Sequence, residues 1–161
     1  MSRPNVDTYF MRIASVVATR ATCLRRAVGC VLVDTRRHIL ATGYNGVAAG
    51  QPHCNELAPY HDETFGGKIY PYACEGSVAA SGTAIDACGA IHAEQNALLQ
   101  CRDVYAIDTC YVTTQPCVSC LKLLLATSCR RIVYVEPYTT ASLELWTGAG
   151  RAADQISGSL P

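Results

Sequence analysis

Two short motifs restrict the fold of this chain more than any other feature. His92-Ala93-Glu94 forms the first, and Pro116-Cys117-Val118-Ser119-Cys120 forms the second. One imidazole and two thiolates are zinc ligands, and a set of only three protein ligands leaves the fourth tetrahedral position open, as in catalytic zinc sites. A fold that uses these ligands together has to bring both motifs to one ion.

Both motifs lie where helices are expected to begin. The apolar stripe of the segment from Ile91 to Cys101 predicts a helix with His92 and Glu94 on its first turn. Cys117 and Cys120 are three residues apart, so both sulfurs face the same way on the first turn of a second helix. Helix N-termini also stabilise thiolates. We therefore expect two helix starts to converge on one zinc ion.

Glu94 is the residue that distinguishes a catalytic site from a structural one. Zinc lowers the pKa of bound water, and a carboxylate that is not a ligand can accept the proton and deliver it to a leaving amine. The pattern His-x-Glu with Pro-Cys-x-x-Cys is typical of zinc-dependent cytosine and adenine deaminases. The alternative is a structural zinc site with Glu94 as an ordinary surface charge, and the complete pattern favours catalysis.

Length and composition predict one domain, residues 1–161. Half of the residues are hydrophobic and 16% are charged, so we expect apolar surface to be buried in a homo-oligomer. Thirteen basic residues balance thirteen acidic ones, which does not indicate a polynucleotide-binding face. A small nucleotide is the expected partner.

The ten cysteines accompany no secretory signal and no apolar run long enough to span a membrane. This combination favours a reducing cytoplasm, with thiols and metal ligands instead of disulfides. Four cysteines outside the expected strands, or just before a helix, could form a closed second zinc site: Cys23, Cys54, Cys74 and Cys88. The alternative is four unpaired buried thiols. Others fall on element faces where buried thiols are common: Cys30, Cys101, Cys110 and Cys129.

The remaining pattern predicts a mixed sheet covered by helices. The first expected elements are a helix from Val6 to Ala21 and strands at Val28 to Val33 and Ile39 to Thr42, followed by an irregular region from Gly43 to Gly89. After the helix that holds His92 and Glu94, strands are expected at Thr109 to Thr114 and Arg131 to Glu136, on either side of the helix that begins near Cys117. That last alternation indicates a parallel βαβ pair at the end of the sheet. Residues 148–161 are expected to be a loosely ordered tail.

Several segments, in order along the chain, carry a family resemblance. They are Thr22 to Gly29, Thr42 to Gly46, His53 to Glu56, His92 to Ala97 and Pro116 to Cys120. Over roughly Asp7 to Tyr138 the chain resembles the deoxycytidylate deaminases, in particular their phage and bacterial members. The resemblance implies a three-layer, cytidine-deaminase-like α/β fold with a mixed sheet of about five strands between helices.

The resemblance also implies an activity, the hydrolytic deamination of dCMP to dUMP with release of ammonia, which supplies dTMP synthesis. His92, Cys117 and Cys120 would hold zinc, and Glu94 would carry protons while water attacks C4. The alternatives are a 5-modified dCMP or another cytosine nucleoside or nucleotide as substrate, or a non-catalytic zinc-bound nucleotide sensor. The family further implies hexamers, activation by dCTP, inhibition by dTTP, Mg²⁺ with the triphosphate and, for a phage-encoded member, the host cytoplasm.

Four residues outside the zinc motifs are candidates for substrate or effector contacts. Asn45 lies in a glycine-rich turn, where its amide could bind a sugar hydroxyl or base edge, or merely cap the turn. Arg25 and Arg26 suit phosphate, with a solvated charged face as the alternative. Tyr138 could pack on a base or be a surface tyrosine. The resemblance favours substrate contact for Asn45 and phosphate binding for the two arginines.

The resemblance bears on the second zinc site as well. Cys23 and Cys54 match positions that help to hold a structural zinc in phage and bacterial relatives. The relatives use histidine among the remaining ligands, and this chain departs from them there. Cys74 and Cys88 are therefore assigned by elimination. Two histidines compete with them: His53 and His61. Such an ion would hold the long irregular region, whose own composition cannot form much core.

Overall fold

A computed structural model of the protein describes residues 3–56, 60–62, 68–70 and 88–157. The elements in chain order are α1 (Val6–Ala18), β1 (Gly29–Val33), β2 (Ile39–Tyr44), β3 (Gly46–Val47), β4 (Tyr60–Asp62), β5 (Lys68–Tyr70), β6 (Ala90–Ile91), α2 (Ala93–Gln100), β7 (Thr109–Thr114), α3 (Val118–Leu125), β8 (Arg131–Glu136), α4 (Thr140–Gly148) and β9 (Ala152–Gln155). Among these described residues, no helix combines the length and apolarity needed to cross a membrane.

The central sheet has five strands in the order β2-β1-β7-β8-β9. Strand β1 pairs antiparallel with β2 and with β7, whereas the β7–β8 and β8–β9 pairs are parallel. Parallel neighbours need a crossover connection, which contains α3 in the first case and α4 in the second. The prediction of a mixed sheet of about five strands is confirmed.

Helices cover both faces of this sheet. Successive residues of a strand point to opposite faces, and β1 shows the separation. Cys30 and Leu32 join a core that includes residues of α2, α3 and α4, while Val31 and Val33 join a second core with α1. The buried side of α1 consists of Phe10, Met11, Ala14 and Ala18. The predicted three-layer α/β arrangement is confirmed.

Two glycines allow helices to lie directly on strands. A Cβ atom added at Gly29 would overlap the backbone of Ala14 in α1, and one added at Gly43 would overlap the backbone of Ala97 in α2. Close backbone approach is a recognised use of glycine in a strand. Gly43 therefore sets the height at which α2, the helix of the first motif, packs above the sheet.

Helices α1 and α2 are both shorter than predicted. Helix α1 ends at Ala18, three residues before the expected Ala21, because the N–H groups of residues 19–21 bond to carbonyls three residues back and the last turn tightens. Helix α2 begins at Ala93, because Ile91 pairs with Gly46 between β6 and β3. The strands at Thr109–Thr114 and Arg131–Glu136 are confirmed.

The C-terminal part contains a strand where the sequence analysis predicts a loosely ordered tail from residue 148. Strand β9 pairs with β8, so the parallel β7–β8 pair is not at the end of the sheet. Trp146 in α4 is fully buried and its indole N–H donates to the carbonyl of Ala152 at 2.7 Å. The sequence Ala-Ala-Asp-Gln has low strand propensity, so tertiary contacts impose the strand.

A polar network joins α1 to three strands. The guanidinium of Arg131 on β8 donates to both carboxylate oxygens of Asp7 on α1, each at 2.8 Å, and to Asp154 on β9 at 2.6 Å. The hydroxyl of Tyr111 on β7 donates to Asp7 at 2.8 Å. The hydrogen bonds from Arg131 lower the pKa of Asp7 because they favour its charged form.

Candidate metal centre

The first and second motifs meet at the N-termini of two neighbouring helices. His92 precedes α2 and Cys117 precedes α3, both as N-cap residues with extended backbone, at ψ 155° and 168° respectively. Cys120 lies in the first turn of α3. The helix starts therefore converge as predicted, although His92 and Cys117 flank the helices and do not lie within them.

The distances among these three side chains fit a tetrahedral zinc ion. The Nδ1 atom of His92 lies 3.5 Å from the Sγ of Cys117 and 3.4 Å from the Sγ of Cys120. Bond lengths of about 2.3 Å to sulfur and 2.0 Å to nitrogen, at tetrahedral angles, separate the two atoms by about 3.5 Å. Within the described residues, these three form the one group of histidine, cysteine and acidic side chains with metal-binding spacing. They could hold zinc through Nδ1 and two sulfurs.

The electrostatics of the centre favour a thiolate. The pKa of the Cys117 thiol is lowered to about 4, first by the hydrogen bond from Cys120 and further by the hydrogen bond with His92. Burial acts in the opposite direction. The hydrogen bond with Cys117 and the nearby negative charges of Cys117 and Glu94 raise the pKa of His92, against the effect of burial. Cys120 is fully buried, and its pKa is raised by donating to Cys117 and by desolvation. A negative charge at the centre attracts a cation.

Glu94 lies next to the ligand group without belonging to it. Its side chain is 4% exposed on the first turn of α2. Burial raises the pKa of its carboxyl to about 7, because desolvation disfavours the charged form. A buried carboxyl beside an open metal position suits proton transfer.

Two polar residues of α2 position the first motif, and the sequence analysis does not single them out. Gln95 accepts the backbone N–H of His92 at 3.0 Å through its side chain. Asn96 donates to the carbonyl of Tyr44 at 2.7 Å, which ties α2 to the end of β2. A glutamine three residues after an N-cap is a recognisable capping signal, so the role of Gln95 could have been found. The partner of Asn96 is remote in sequence and could not.

The structure brings two of the predicted nucleotide contacts together. The guanidinium of Arg26 lies over the ring of Tyr138, 5.8 Å from its centroid. Arg26 also lies 3.9 Å from the carboxylate of Glu136 at the end of β8. Arg26 and Tyr138 come from loops that are more than a hundred positions apart in sequence. Arg25 precedes Arg26 in the same loop and is partly buried.

Asn45, the fourth predicted nucleotide contact, uses its amide to hold the arginine loop. Its side-chain oxygen accepts the N–H of Val28 at 2.8 Å, and its amide nitrogen donates to the carbonyl of Arg26 at 2.7 Å. The side chain is 8% exposed. These bonds give Asn45 a structural function in the arrangement of the loop, close to the turn-capping alternative.

Three of the four cysteines predicted for a second zinc site fall within the described residues. Cys54 is buried, while Cys23 and Cys88 are partly buried. Cys74 lies outside the described residues, and of the competing histidines His61 is described in its backbone alone. Of the other cysteines, Cys30 and Cys110 are fully buried with their sulfurs 3.6 Å apart, in line with the prediction of buried thiols.

Comparison with known proteins decides the family. Residues 4–136 match the family described as the cytidine and deoxycytidylate deaminase zinc-binding region. The chain belongs to the cytidine and deoxycytidylate deaminase family. The group of His92, Cys117 and Cys120 lies within the matched zinc-binding region.

Individual members of the deaminase family are similar along most of the chain. The deoxycytidylate deaminase of Mycobacterium phage D29 is 40% identical over 135 residues, which cover 83% of this chain and 97% of that protein. The deoxycytidylate deaminase of Schizosaccharomyces pombe is 38% identical over 149 residues, or 88% of this chain and 41% of that protein. The chain thus spans less than half the length of the yeast relative and nearly all of the phage relative.

A solved structure with the same fold belongs to another phage. The dCMP deaminase of cyanophage S-TIM5, crystallised in complex with dCMP and dUMP, superimposes with a TM-score of 0.68 over 97% of this chain and all of that one. The sequences are 24% identical, so this similarity concerns the fold. The cytidine-deaminase-like architecture is thereby confirmed.

Proposed function

We propose that the protein hydrolyses dCMP to dUMP and ammonia. One observation carries the proposal, namely that Glu94 is buried beside three donor atoms whose spacing fits a zinc ion with an open position. The 40% identity to a phage protein named deoxycytidylate deaminase, over nearly its whole length, supports the choice of substrate.

His92, Cys117 and Cys120 would hold the zinc ion in this proposal. When bound there, zinc supplies a Lewis acid that lowers the pKa of water and so makes hydroxide available at neutral pH. The helix N-termini help to stabilise the thiolates. Gln95 keeps His92 in place through the hydrogen bond to its backbone.

Glu94 acts as the proton carrier. Its carboxylate accepts a proton from water and delivers it to N3 of the cytosine ring. It then takes the proton of the hydroxyl now on C4 and transfers it to the amine at C4, which leaves as ammonia. Addition of water at C4 and departure of ammonia balance the conversion of dCMP to dUMP. A buried position keeps bulk water away from this carboxyl, so its protons pass to the substrate.

Arg26 and Tyr138 form the nucleotide-recognition part of the proposal, with Arg25 beside them. A guanidinium suits the phosphate of dCMP, and an aromatic ring suits a base or sugar face. Asn45 contributes by holding the arginine loop in place. Its oxygen has a second lone pair and its nitrogen a second N–H, which remain available to a sugar hydroxyl.

Further parts of the proposal come from the family resemblance. They are a second, structural zinc with Cys23 and Cys54 among its ligands, a hexameric assembly, and control by dCTP and dTTP with Mg²⁺. Cys74 and Cys88 complete the ligand set by elimination. A cytoplasmic location, in the host if the chain is phage-encoded, is also part of the proposal, because buried cysteines such as Cys129 are free thiols and a phage protein is similar to this chain. The product would supply dTMP synthesis.

A deamination assay tests the proposal. Ammonia release is measured with dCMP, CMP, deoxycytidine and 5-substituted dCMP, each with and without dCTP or dTTP. We expect dCMP to have the highest kcat/KM. Higher values for a 5-substituted dCMP or for deoxycytidine would identify that compound as the substrate instead. Tight binding of dCMP without ammonia release would indicate a nucleotide sensor.

A further inference from the structure

The side-chain amide of Gln115 makes three hydrogen bonds. Gln115 is 3% exposed and lies two positions before Cys117. Its amide nitrogen donates to the carbonyl of Thr139 and to the hydroxyl of Ser142, the latter at 2.6 Å. Its amide oxygen accepts the backbone N–H of Tyr138 at 3.1 Å. Both ends of this amide are therefore engaged by other parts of the protein.

All of these partners lie in residues 137–142, the connection between β8 and α4 together with the first residues of α4, which we call the β8–α4 loop. The backbone N–H of Gln115 adds a bond to the carbonyl of Glu136, at 2.8 Å, just before this loop. Residues 136, 137, 139 and 140 are exposed, so few apolar contacts hold the loop down. Hydrogen bonds to one buried residue, Gln115, fasten it instead.

The same bonds locate the groups that surround Arg26. Its guanidinium lies over the ring of Tyr138 and beside the carboxylate of Glu136. Gln115 binds the backbone of both of these residues. Gln115, which stands in the segment that leads into α3, therefore links the start of that helix to the loop that carries Tyr138.

We propose that Gln115 is a positioning residue for nucleotide recognition, acting through the bond between its side-chain amide and the backbone of Tyr138. This inference rests on the proposed function, in which Arg26 and Tyr138 contact the nucleotide. Gln115 does not itself touch the substrate, because its amide is already bonded to the β8–α4 loop. Small displacements of a binding group weaken substrate affinity without changing the reacting groups.

The test compares Gln115→Met with Gln155→Met. Methionine keeps similar length and removes the amide. Gln155 on β9 is an exposed glutamine whose side chain donates one hydrogen bond within the described residues, to the carbonyl of Val135. We expect Gln115→Met to raise the KM for dCMP about tenfold, with kcat within about twofold of the unaltered value. Zinc content per chain should not change. Gln155→Met should leave KM and kcat as they are.

A double variant separates positioning from a general loss of structure. If Gln115 acts through Tyr138, Gln115→Met should have no further effect on KM in a Tyr138→Ala background. Independent, multiplicative effects in the double variant would overturn the inference. An unchanged KM, or a loss of kcat with unchanged KM, in Gln115→Met would also overturn it.

Ser142→Ala is a milder variant that guards against failure of Gln115→Met to fold. Ser142 is fully buried and accepts one of the two bonds from the amide nitrogen. We expect a smaller rise in KM, about two- to threefold, with kcat retained; an unchanged KM in a folded Ser142→Ala would count against the inference. Absence of dCMP turnover in the unaltered protein would instead overturn the proposed function.

Discussion

Gly43 on β2 faces the backbone of Ala97 on α2 so closely that no side chain fits between them. Because α2 starts just after His92, the height of this helix above the sheet also determines where His92 and Glu94 lie relative to α3. A residue far from the metal ligands in sequence thus helps to form the candidate metal centre.

Substitution of Gly43 by alanine is expected to disturb the metal centre. The added methyl group pushes α2 away from β2, which costs about 1–3 kcal/mol of unfolding free energy and displaces His92. Zinc affinity and kcat should both fall, as measured by chelator competition and ammonia release.

Gly29→Ala and Gly148→Ala are the matched controls for this substitution. Gly29→Ala should lose similar stability by displacing α1, with a smaller effect on zinc affinity. Gly148 has open space around it, so Gly148→Ala should change neither property. Equal zinc affinity in Gly43→Ala and the unaltered protein would contradict the prediction.

Replacement of Glu94 by glutamine is expected to abolish turnover while the protein keeps its fold and its zinc. The carboxyl that transfers protons is lost, and such groups contribute about 10²- to 10⁴-fold to the rate. Ammonia release and zinc content are measured on the same preparation. Glu144→Gln, on the exposed side of α4, serves as control and should retain activity. Substantial activity in Glu94→Gln would refute the assigned role.

Arg26 is expected to recognise the phosphate of the substrate. Arg26→Gln should raise the KM for dCMP about tenfold or more, because charge-assisted hydrogen bonds contribute about 1.5–3 kcal/mol. The KM for deoxycytidine, which has no phosphate, should change little. Arg12→Gln on the exposed side of α1 is the control. Equal effects on both substrates would argue against phosphate recognition.

Asp7 is expected to make stability depend on pH in the acid range. Its folded pKa lies below the ordinary value of 3.8, so its ion pair contributes fully above that value and is lost as pH falls through the lower folded pKa. Asp7→Asn should cost about 1–2 kcal/mol of unfolding free energy at pH 7, measured by urea denaturation. The difference should shrink below about pH 4.

Asp154→Asn is the control for this effect. Asp154 binds the same arginine, but its side chain is 50% exposed, whereas that of Asp7 is 28% exposed. Solvent screens the more exposed pair, so we expect a smaller loss of stability. A constant difference between Asp7→Asn and the unaltered protein from pH 7 to pH 2 would contradict the assigned role of Asp7.

Zinc content tests the second metal site. We expect two equivalents per chain, with Cys54→Ser reducing the content to one. Cys101→Ser is the control, because the Cys101 thiol bonds to the carbonyl of Asp103 and is not assigned to either site. One equivalent in the unaltered protein would exclude the second site.

Helices and strands are predicted correctly from the sequence where the determining interactions are local. The period of apolar residues and the position of turns predict β7, α3 and β8 because these elements bury a continuous face. Strand β9 is not predicted, because it has little intrinsic strand preference and is ordered by pairing with β8 and by the bond from Trp146 to Ala152.

By itself, the sequence determines the donor atoms of the metal centre and the carboxyl beside them, since residue type and spacing on a helix turn dictate that chemistry. Only the tertiary structure decides that Arg26 meets Tyr138 and that Gln115 fastens the loop behind them. Those contacts join residues that are distant along the chain, so their formation depends on how strands and helices pack and not on any local pattern.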